Sequence, residues 1–313
     1  MVSTPRRRIV LALTLLALVA VLPLSALAGQ PFWVNAATRI VIYAIAALGL
    51  DLILGYGGMV SFGHAAYFAL GGYTVAILAA NGVDAALISW PAAILVAAAF
   101  AAAVGALSLR TSGIFFIMIT LAFAQMIYYA TIAVKAFGGA DGMSLAARSV
   151  VPGIDLRDPR VLYAVTLVML FGALALAGVL IDSRFGVALR ACRGNERRVR
   201  ALGFSVFRTK LAAFAIAGAI AGLAGALWAE YARFVSPDMG SWTRSGEFLI
   251  VAILGGTGTL AGAIFGSTVL LELESLLAGV TEHWMIALGA ILLVVVLFAK
   301  RGLYGWLAGS SDG

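Results

Sequence analysis

The sequence predicts an all-α polytopic membrane protein, and three observations support that fold class. Hydrophobic residues make up 63% of the 313 residues, charged residues make up 11%, and the mean hydropathy of +1.06 is too high for a soluble globular domain. Apolar runs of about 20 residues, each long enough to cross a bilayer, recur along the whole chain. Lysine and arginine concentrate in alternate connecting segments, as the positive-inside rule describes. We therefore predict about ten transmembrane helices in a single domain over residues 1–313, with both termini in the cytoplasm.

Composition excludes several classes of site. A single cysteine cannot form an intrachain disulfide framework, and the two distant histidines, His64 and His283, have no metal-site spacing. The chain contains neither a nucleophile elbow nor a Walker phosphate loop, so any ATP that drives the protein must bind another chain. The net charge of +7 comes from loop arginines and does not indicate nucleic-acid binding. We therefore expect no enzyme activity, metal or cofactor in this chain.

The N-terminal apolar run, residues 9–28, admits two interpretations. It follows Arg6, Arg7 and Arg8 and contains the tripeptide ALA at 26–28, which resembles a signal-peptidase site. A cleaved signal peptide is one interpretation, but the run is longer than the ~7–15 apolar residues of such signals. We expect a retained first span that starts in the cytoplasm.

A glycine-rich segment, GYGGMVSFGH at 55–64, separates the second span (about 36–54) from the third, which ends near residue 80. Such a segment is consistent with a plain turn, or with a broken helix on a solute path where protein or water satisfies the backbone. On the second interpretation the candidate path residues here are Gly57, Gly58, Ser61 and His64. A histidine in this setting more often packs between helices. Asp51 would be costly at mid-membrane, so we place it at the interface.

The remaining spans are predicted at about 86–109, 113–134, 161–181, 211–229, 247–254, 261–277 and 283–298. Gln125, the amide of the fifth span, either bridges helices or lines the path. Gly218 and Gly222 form a GxxxG motif, which favours close helix packing.

A second glycine-rich segment follows the eighth span, and it adds Gly255, Gly256, Thr257 and Gly258 to the candidate path. Its spacing formally matches a dinucleotide-binding fingerprint. We reject that match because the segment lies between two membrane spans, with no βαβ unit around it.

The longest polar interruption covers residues 183–210 and carries eight basic residues against one acid, Glu196. On one continuous helix the arginines at 190, 193, 197 and 200 would form a stripe, and the apolar residues at 187, 191, 199 and 202 would lie opposite. Gly194 and Asn195 make two short helices at least as consistent with the sequence, and Gly203 suits a left-handed C-cap. Charge retention during insertion would explain the basic residues alone. An apolar face beside an arginine stripe instead favours a surface knob that binds a soluble partner or anionic lipid.

Four segments, in order, resemble the membrane subunits of branched-chain amino-acid ABC importers, most closely the LivM-type subunit. The glycine-rich segments LGYGGMVSFGHAAYFALGGYT and LGGTGTLAGAIFG resemble those of the family, and FAKRGLYG resembles its C-terminal end. The stretch SRFGVALRACRGNERRVRALGFSVFRTKLAAFAIAGAIAGLAGALWA resembles its coupling segment and the following span. This resemblance implies the ABC importer permease fold, with 183–210 as a cytoplasmic coupling-helix loop.

The resemblance also implies a function and partners. A permease of this family carries branched-chain or related amino acids across the bacterial inner membrane by alternating access. Two cytoplasmic ATPase subunits bind the ATP, a periplasmic binding protein delivers the solute, and a second, LivH-type permease completes the pair. The same class of transporter for urea, short amides or sugars is one alternative. An ATP-independent channel or carrier is an alternative of another class.

Within the coupling segment, the resemblance implies that Glu196, Ala201 and Gly203 correspond to the motif that docks into the ATPase. The other candidate coupling residues are Arg190, Arg193, Asn195 and Lys210. The segment departs from the family pattern at Cys192, Gly194, Arg197 and Arg198, which affects the docking contacts and not the fold. The arginines around Cys192 are expected to lower the pKa of its thiol.

Overall fold

The computed structural model describes residues 13–22, 31–280, 283–298 and 302. Its helices in chain order are α1 (Leu13–Leu22), α2 (Pro31–Asp51), α3 (His64–Ala80), α4 (Ala86–Ser108), α5 (Ile114–Ala133), α6 (Pro159–Asp182), α7 (Arg184–Gly194), α8 (Glu196–Ala201), α9 (Val206–Ala232), α10 (Trp242–Gly255), α11 (Gly262–Val280) and α12 (Trp284–Phe298). A π-helical turn, Leu52–Tyr56, extends α2, and the two-residue strands β1 (Met143–Ser144) and β2 (Phe234–Val235) pair antiparallel. The arginines at 6–8, the tripeptide at 26–28 and the basic pair at 300–301 lie outside the described residues.

Six of the described helices are long and apolar enough to cross a bilayer: α2 with its π-helical turn, α4, α5, α6, α9 and α11. The apolar helices α1 and α3 are shorter, and α10 and α12 have 14 and 15 residues. These lengths and compositions are those of a polytopic membrane protein, as the sequence predicted. The count of about ten spans stays a prediction.

The helix boundaries agree with the predicted spans to within a few residues at most positions, but α2, α9 and α10 each begin five residues earlier than predicted. The eighth span was predicted to begin near Glu247, but α10 begins at Trp242. Ser241 explains the earlier start, because its Oγ accepts the N–H of Arg244 at 3.3 Å and so caps the helix.

Helix α9 is the centre of the bundle, and α2, α3 and α4 pack along its length. Small residues make these close approaches feasible. A Cβ atom built on Gly218 would lie 2.3 Å from the Cβ of Ala101, and one built on Gly222 would lie 2.4 Å from the Cβ of Ala97. The structure thus confirms close helix packing at the GxxxG motif, where the two glycines of α9 face the alanine side chains of α4.

Gly225 makes the tightest of these contacts, and its replacement by alanine is expected to destabilise the protein. The new Cβ would lie 1.8 Å from the carbonyl oxygen of Phe68, a backbone atom that cannot turn away. Forcing α3 from α9 is expected to cost about 1–3 kcal/mol. Tryptophan-fluorescence unfolding of the detergent-solubilised full chain measures this loss. Gly178→Ala is the matched control, because its Cβ would meet only the Leu260 side chain at 3.8 Å.

The end of the bundle at the C-terminus of α9 is held by buried polar contacts. Glu230 is fully buried, and its carboxylate accepts the indole N–H of Trp90 at 3.2 Å and the backbone N–H of Ser149 at 2.9 Å. Arg148 donates from Nε to the Glu230 carbonyl at 2.9 Å. These bonds fix the long loop between α5 and α6 onto the helices, so the basic segment at the other end of α9 starts from a rigid frame.

Candidate functional site

The basic segment folds into two short helices, α7 and α8, which we call the knob (residues 184–203). Asn195 separates them in an extended conformation, with φ −159° and ψ 101°, and its side chain accepts the backbone N–H of Arg198 at 3.0 Å as the N-cap of α8. Gly203 ends α8 with φ +85°, and its N–H donates to the Arg200 carbonyl at 3.0 Å. The structure therefore confirms the two-helix prediction and the left-handed C-cap at Gly203.

The arginine stripe expected on a continuous helix is wrong, because the break at Asn195 sends its members in different directions. Arg190 donates to the carbonyl of Ile181 at 2.8 Å and braces α7 against the end of α6. Arg193 donates to the carbonyl of Gly55 in the π-helical turn. Arg200 is exposed on α8 and pairs with Glu196 at 3.2 Å. Two of the arginines thus contact the bundle itself.

The predicted apolar face of the knob is also mostly wrong. Val187 and Leu202 are 56% and 71% exposed, and of the four predicted residues only Val199 is buried. The reason is that α7 packs against α6, α9 and the π-helical turn through its smaller face. That face consists of Gly186, Ala188, Leu189 and Cys192.

Cys192 packs with Val199 and Val206 in a small apolar cluster that joins α7, α8 and the start of α9. This cluster makes the knob a stiff unit. Burial raises the pKa of the Cys192 thiol, with the Lys210 charge acting in the opposite direction, so the expected lowering is wrong.

Glu196 ties the knob to α9. Its carboxylate accepts hydrogen bonds from Lys210 on the first turns of α9 and from Arg200, one turn along α8. Partial burial alone would raise the pKa of Glu196, but the hydrogen bonds and charges of Lys210 and then Arg200 hold it below its usual range. The single acid of this segment is therefore its internal counter-ion. Ala201, at the last position of α8, is exposed.

The two glycine-rich segments meet inside the bundle, and we call their contact the seam (Asp51, Gly55 and Gly258). The backbone N–H of Gly258 donates to Oδ1 of Asp51 at 2.8 Å. A Cβ built on Gly55 would lie 2.1 Å from that same nitrogen, so only glycine allows the approach. Left-handed glycines, Gly256 at φ +109° and Gly258 at φ +77°, turn the second segment away from α10. The first segment is thus a broken helix with a π-helical end and not a plain turn.

Asp51 is the last residue of α2, and its predicted place at the membrane interface stays a prediction. Its side chain is buried at 2% exposure, and Oδ2 has no hydrogen-bond partner among the residues that the structure describes. Burial is tolerable because the second glycine segment supplies a backbone donor to Oδ1. Sequence reasoning missed Asp51 as a site residue because that donor lies 207 positions along the chain.

The other predicted path residues separate into different environments. Ser61 is buried, and its Oγ accepts the N–H of Gly63 at 3.1 Å. His64 is fully buried, and its ring packs edge-on against Tyr67 and Phe214 with centroids 5.4 and 6.3 Å apart. Within the described part of the chain neither nitrogen of His64 has a hydrogen-bond partner. This agrees with packing between helices, the more frequent role of a histidine in such a segment. Gln125 lies half-buried on α5.

A cavity of about 720 Å³ lies between the knob and the first broken helix. Gly57 and Gly58 line it together with Arg193, Glu196 and Lys210, and the loop from Leu109 to Gly113 closes another side. Path candidates at 61, 64, 125 and 255–258 do not line this cavity. The structure therefore brings Gly57 and Gly58, and not the other path candidates, into the same cavity as the coupling residues.

The C-terminal motif also reaches the second broken segment. A Cβ built on Gly302 would lie 2.3 Å from Cα of Gly256, so the two glycine backbones are in direct contact. Gly256 thus lies between the seam on one side and the C-terminal motif on the other.

Apolar helices of membrane-spanning length, broken helices that meet among them and a polar knob packed on one end define a multi-pass membrane permease. The chain belongs to the family described as branched-chain amino acid transport system / permease component, whose model matches residues 32–297. It is thus a permease subunit of the ABC-importer class.

The protein is similar to the high-affinity branched-chain amino acid transport system permease protein LivM of Salmonella typhimurium, with 30% identity over 86% of this chain and 69% of LivM. It is also similar to LivH of Salmonella typhimurium, with 25% identity over 84% of this chain and 91% of LivH. BraD of Pseudomonas aeruginosa has the same values of 25%, 84% and 91%. Relatives of both LivM and LivH type indicate a permease pair within an ABC importer. No solved structure matches the chain.

Proposed function

We propose that the protein is the LivM-type subunit of an importer that carries branched-chain amino acids inward across the bacterial inner membrane. The permease relatives are named for branched-chain amino acid transport, which supports this cargo. The observation that carries the proposal is the contact between the knob and the seam. Arg193 of the knob donates to the Gly55 carbonyl, and Gly55 packs directly on Gly258. Movement of the knob would therefore act on both glycine-rich segments at once.

The partners follow from the proposed class of importer. A LivH-type permease forms a heterodimer with this chain, two cytoplasmic ATPase subunits bind the ATP, and a periplasmic binding protein delivers the solute to the opposite face. The exposed apolar side chains Val187 and Leu202 of the knob, and Phe204 directly after it, fit a protein surface and would be costly to leave in water. On this proposal the knob lies in the cytoplasm, and the chain crosses the membrane about ten times with both termini on that side.

Contacts in the structure support two groups of the candidate path residues, and a third group has no such support. Gly57 and Gly58 open to the cavity beside the knob, which suits the inner end of a path. The segment from Gly255 to Gly258 lies across the seam from them, so its movement would open or close this region. Ser61, His64 and Gln125 stay candidate path residues without a contact that supports them.

Uptake by the reconstituted importer tests the function. This chain, its partner permease, the ATPases and the binding protein are placed in proteoliposomes with ATP on the ATPase side. We expect uptake of radiolabelled leucine, isoleucine and valine that requires ATP and the binding protein, with no uptake of urea or xylose. Uptake of urea or xylose instead of the three amino acids would contradict the cargo. Counterflow in vesicles that lack the ATPases would contradict the coupled mechanism.

A further inference from the structure

Arg193 follows an unusual course from the knob into the bundle. Its aliphatic stem crosses Gly58, where a built Cβ would lie 2.9 Å from Cγ of Arg193. Gly58 also has φ +68°, so both its backbone conformation and its lack of a side chain favour glycine. Beyond Gly58 the guanidinium donates to the Gly55 carbonyl. The first glycine-rich segment therefore packs closely around the side chain of Arg193.

Beside the guanidinium lies an unsatisfied acceptor. Asp51 is one helical turn before Gly55, and a Cβ built on Gly55 would lie 2.5 Å from Oδ1 of Asp51. Oδ1 accepts the N–H of Gly258, and the backbone N–H of Thr259 also faces this carboxylate, but the buried Oδ2 makes no hydrogen bond among the described residues. Arg193 is close enough to Asp51 for their charges to interact. The guanidinium thus binds a neutral carbonyl while a buried carboxylate oxygen nearby makes no hydrogen bond among the described residues.

A buried acceptor without a donor costs about 1–3 kcal/mol. A charge-assisted bond from a guanidinium to a carboxylate is stronger than one to a carbonyl. A guanidinium that left the Gly55 carbonyl and bound Asp51 would therefore satisfy Oδ2 with a stronger bond. Since the stem of Arg193 belongs to α7, movement of the knob decides between the two acceptors.

We propose that Arg193 is a positioning residue with two acceptors, the Gly55 carbonyl and Oδ2 of Asp51, and that exchange between them transmits knob movement to the seam. This inference rests on the proposed function and adds the side chains through which coupling occurs. Transfer of the guanidinium to Asp51 releases the carbonyl of Gly55, so the π-helical turn can move against Gly258. Return of the knob restores the state described here.

The test uses the complete reconstituted importer and measures leucine uptake and ATP hydrolysis in the same vesicles. Arg193→Ala is expected to lower uptake about tenfold or more, the value of a hydrogen bond to a charged group. ATPase co-purification and ATP hydrolysis are expected to change less than about twofold, as for substitutions without structural effect. The number of ATP molecules hydrolysed per leucine therefore rises. Arg193→Lys keeps the charge and most of the stem, and is expected to restore part of the coupling.

Asp51→Asn isolates the second acceptor, because an amide oxygen still accepts the N–H of Gly258 while the negative charge is lost. It is expected to uncouple uptake as Arg193→Ala does, and the double variant is expected to be no worse than either single one, since both remove one interaction. Arg157→Ala removes an exposed arginine from the loop between α5 and α6, outside the knob and the seam, and is the control with wild-type coupling.

Three results would overturn the inference: a wild-type ATP-to-leucine ratio in both Arg193 variants, additive losses in the double variant, or equal uncoupling in Arg157→Ala. Should Arg193→Ala fail to assemble, the lysine variant and its combination with Asp51→Asn decide the matter in the same way. A wild-type importer that takes up no leucine would instead refute the proposed function.

Discussion

Gly55→Ala is expected to abolish solute uptake, because the seam has no room for one methyl group. The new Cβ would lie 2.1 Å from the nitrogen of Gly258 and 2.5 Å from Oδ1 of Asp51. The nearer atom is backbone, so the two glycine-rich segments must separate and the bond between Asp51 and Gly258 must lengthen or break. Overpacking of this kind costs about 1–3 kcal/mol, and each 1.4 kcal/mol corresponds to about tenfold in an equilibrium.

ATP-driven leucine uptake in proteoliposomes measures this loss, together with the amount of assembled importer recovered by size exclusion. Gly172→Ala is the matched control, because it makes the same change on α6 where no atom lies within 4 Å of the new Cβ. We expect the control to transport as the wild type does. If Gly55→Ala assembled and transported at the control's rate, the seam would not be a moving part of the permease.

The helices of this fold could be predicted from the sequence because their signal is local. Apolar runs of membrane-spanning length, the small residues of α9 and the pair formed by Asn195 and Gly203 each determine structure within a few residues of themselves. The predicted spans and the caps of α8 accordingly agree with the structure. Nothing local identifies the 27-residue α9 as the central helix, because that depends on which faces meet.

The seam could not be predicted because its partners are distant in the chain. The cost of burying Asp51 depends on a donor, and that donor is a glycine N–H from the other end of the sequence. The arginine stripe failed for a related reason. One extended residue, Asn195, reorients α8 relative to α7, so residues that share a stripe on one helix no longer share it on two. The residue types of the site were therefore predicted, and their contacts were not.

Glu196→Lys is expected to disconnect the knob from α9 and to reduce uptake to background. The acid accepts hydrogen bonds from Lys210 and Arg200, and the substitution would place a third cation between these two. Repulsion among them removes the bridge that holds α8 against α9. Membrane insertion is expected to be normal, since the proposed topology places this loop in the cytoplasm and additional positive charge there agrees with the positive-inside rule. Uptake, ATPase co-purification and the amount of protein in the membrane fraction measure the three effects separately.

Two controls separate the role of the bridge from charge alone. Asp182→Lys makes the same change in charge at the exposed end of α6 and is expected to transport normally. Glu196→Gln removes the charge but keeps hydrogen-bond acceptors, and its uptake is expected to be intermediate.

Acidification to about pH 5 cannot imitate the substitution. The pKa of Glu196 is held below its usual range, so its stabilising contribution is fully present above the unfolded value of about 4.3.

That contribution is lost only as the pH falls through the still lower value in the folded protein. We expect wild-type uptake to persist at pH 5 and Glu196→Lys to show no uptake at pH 7. This pair of results would show that the reversed charge causes the defect. Glu196→Lys vesicles that accumulate leucine at the wild-type rate and retain their ATPases would show that the knob transmits force without this bridge. Arg193 would then be the connection between knob and bundle on which coupling depends.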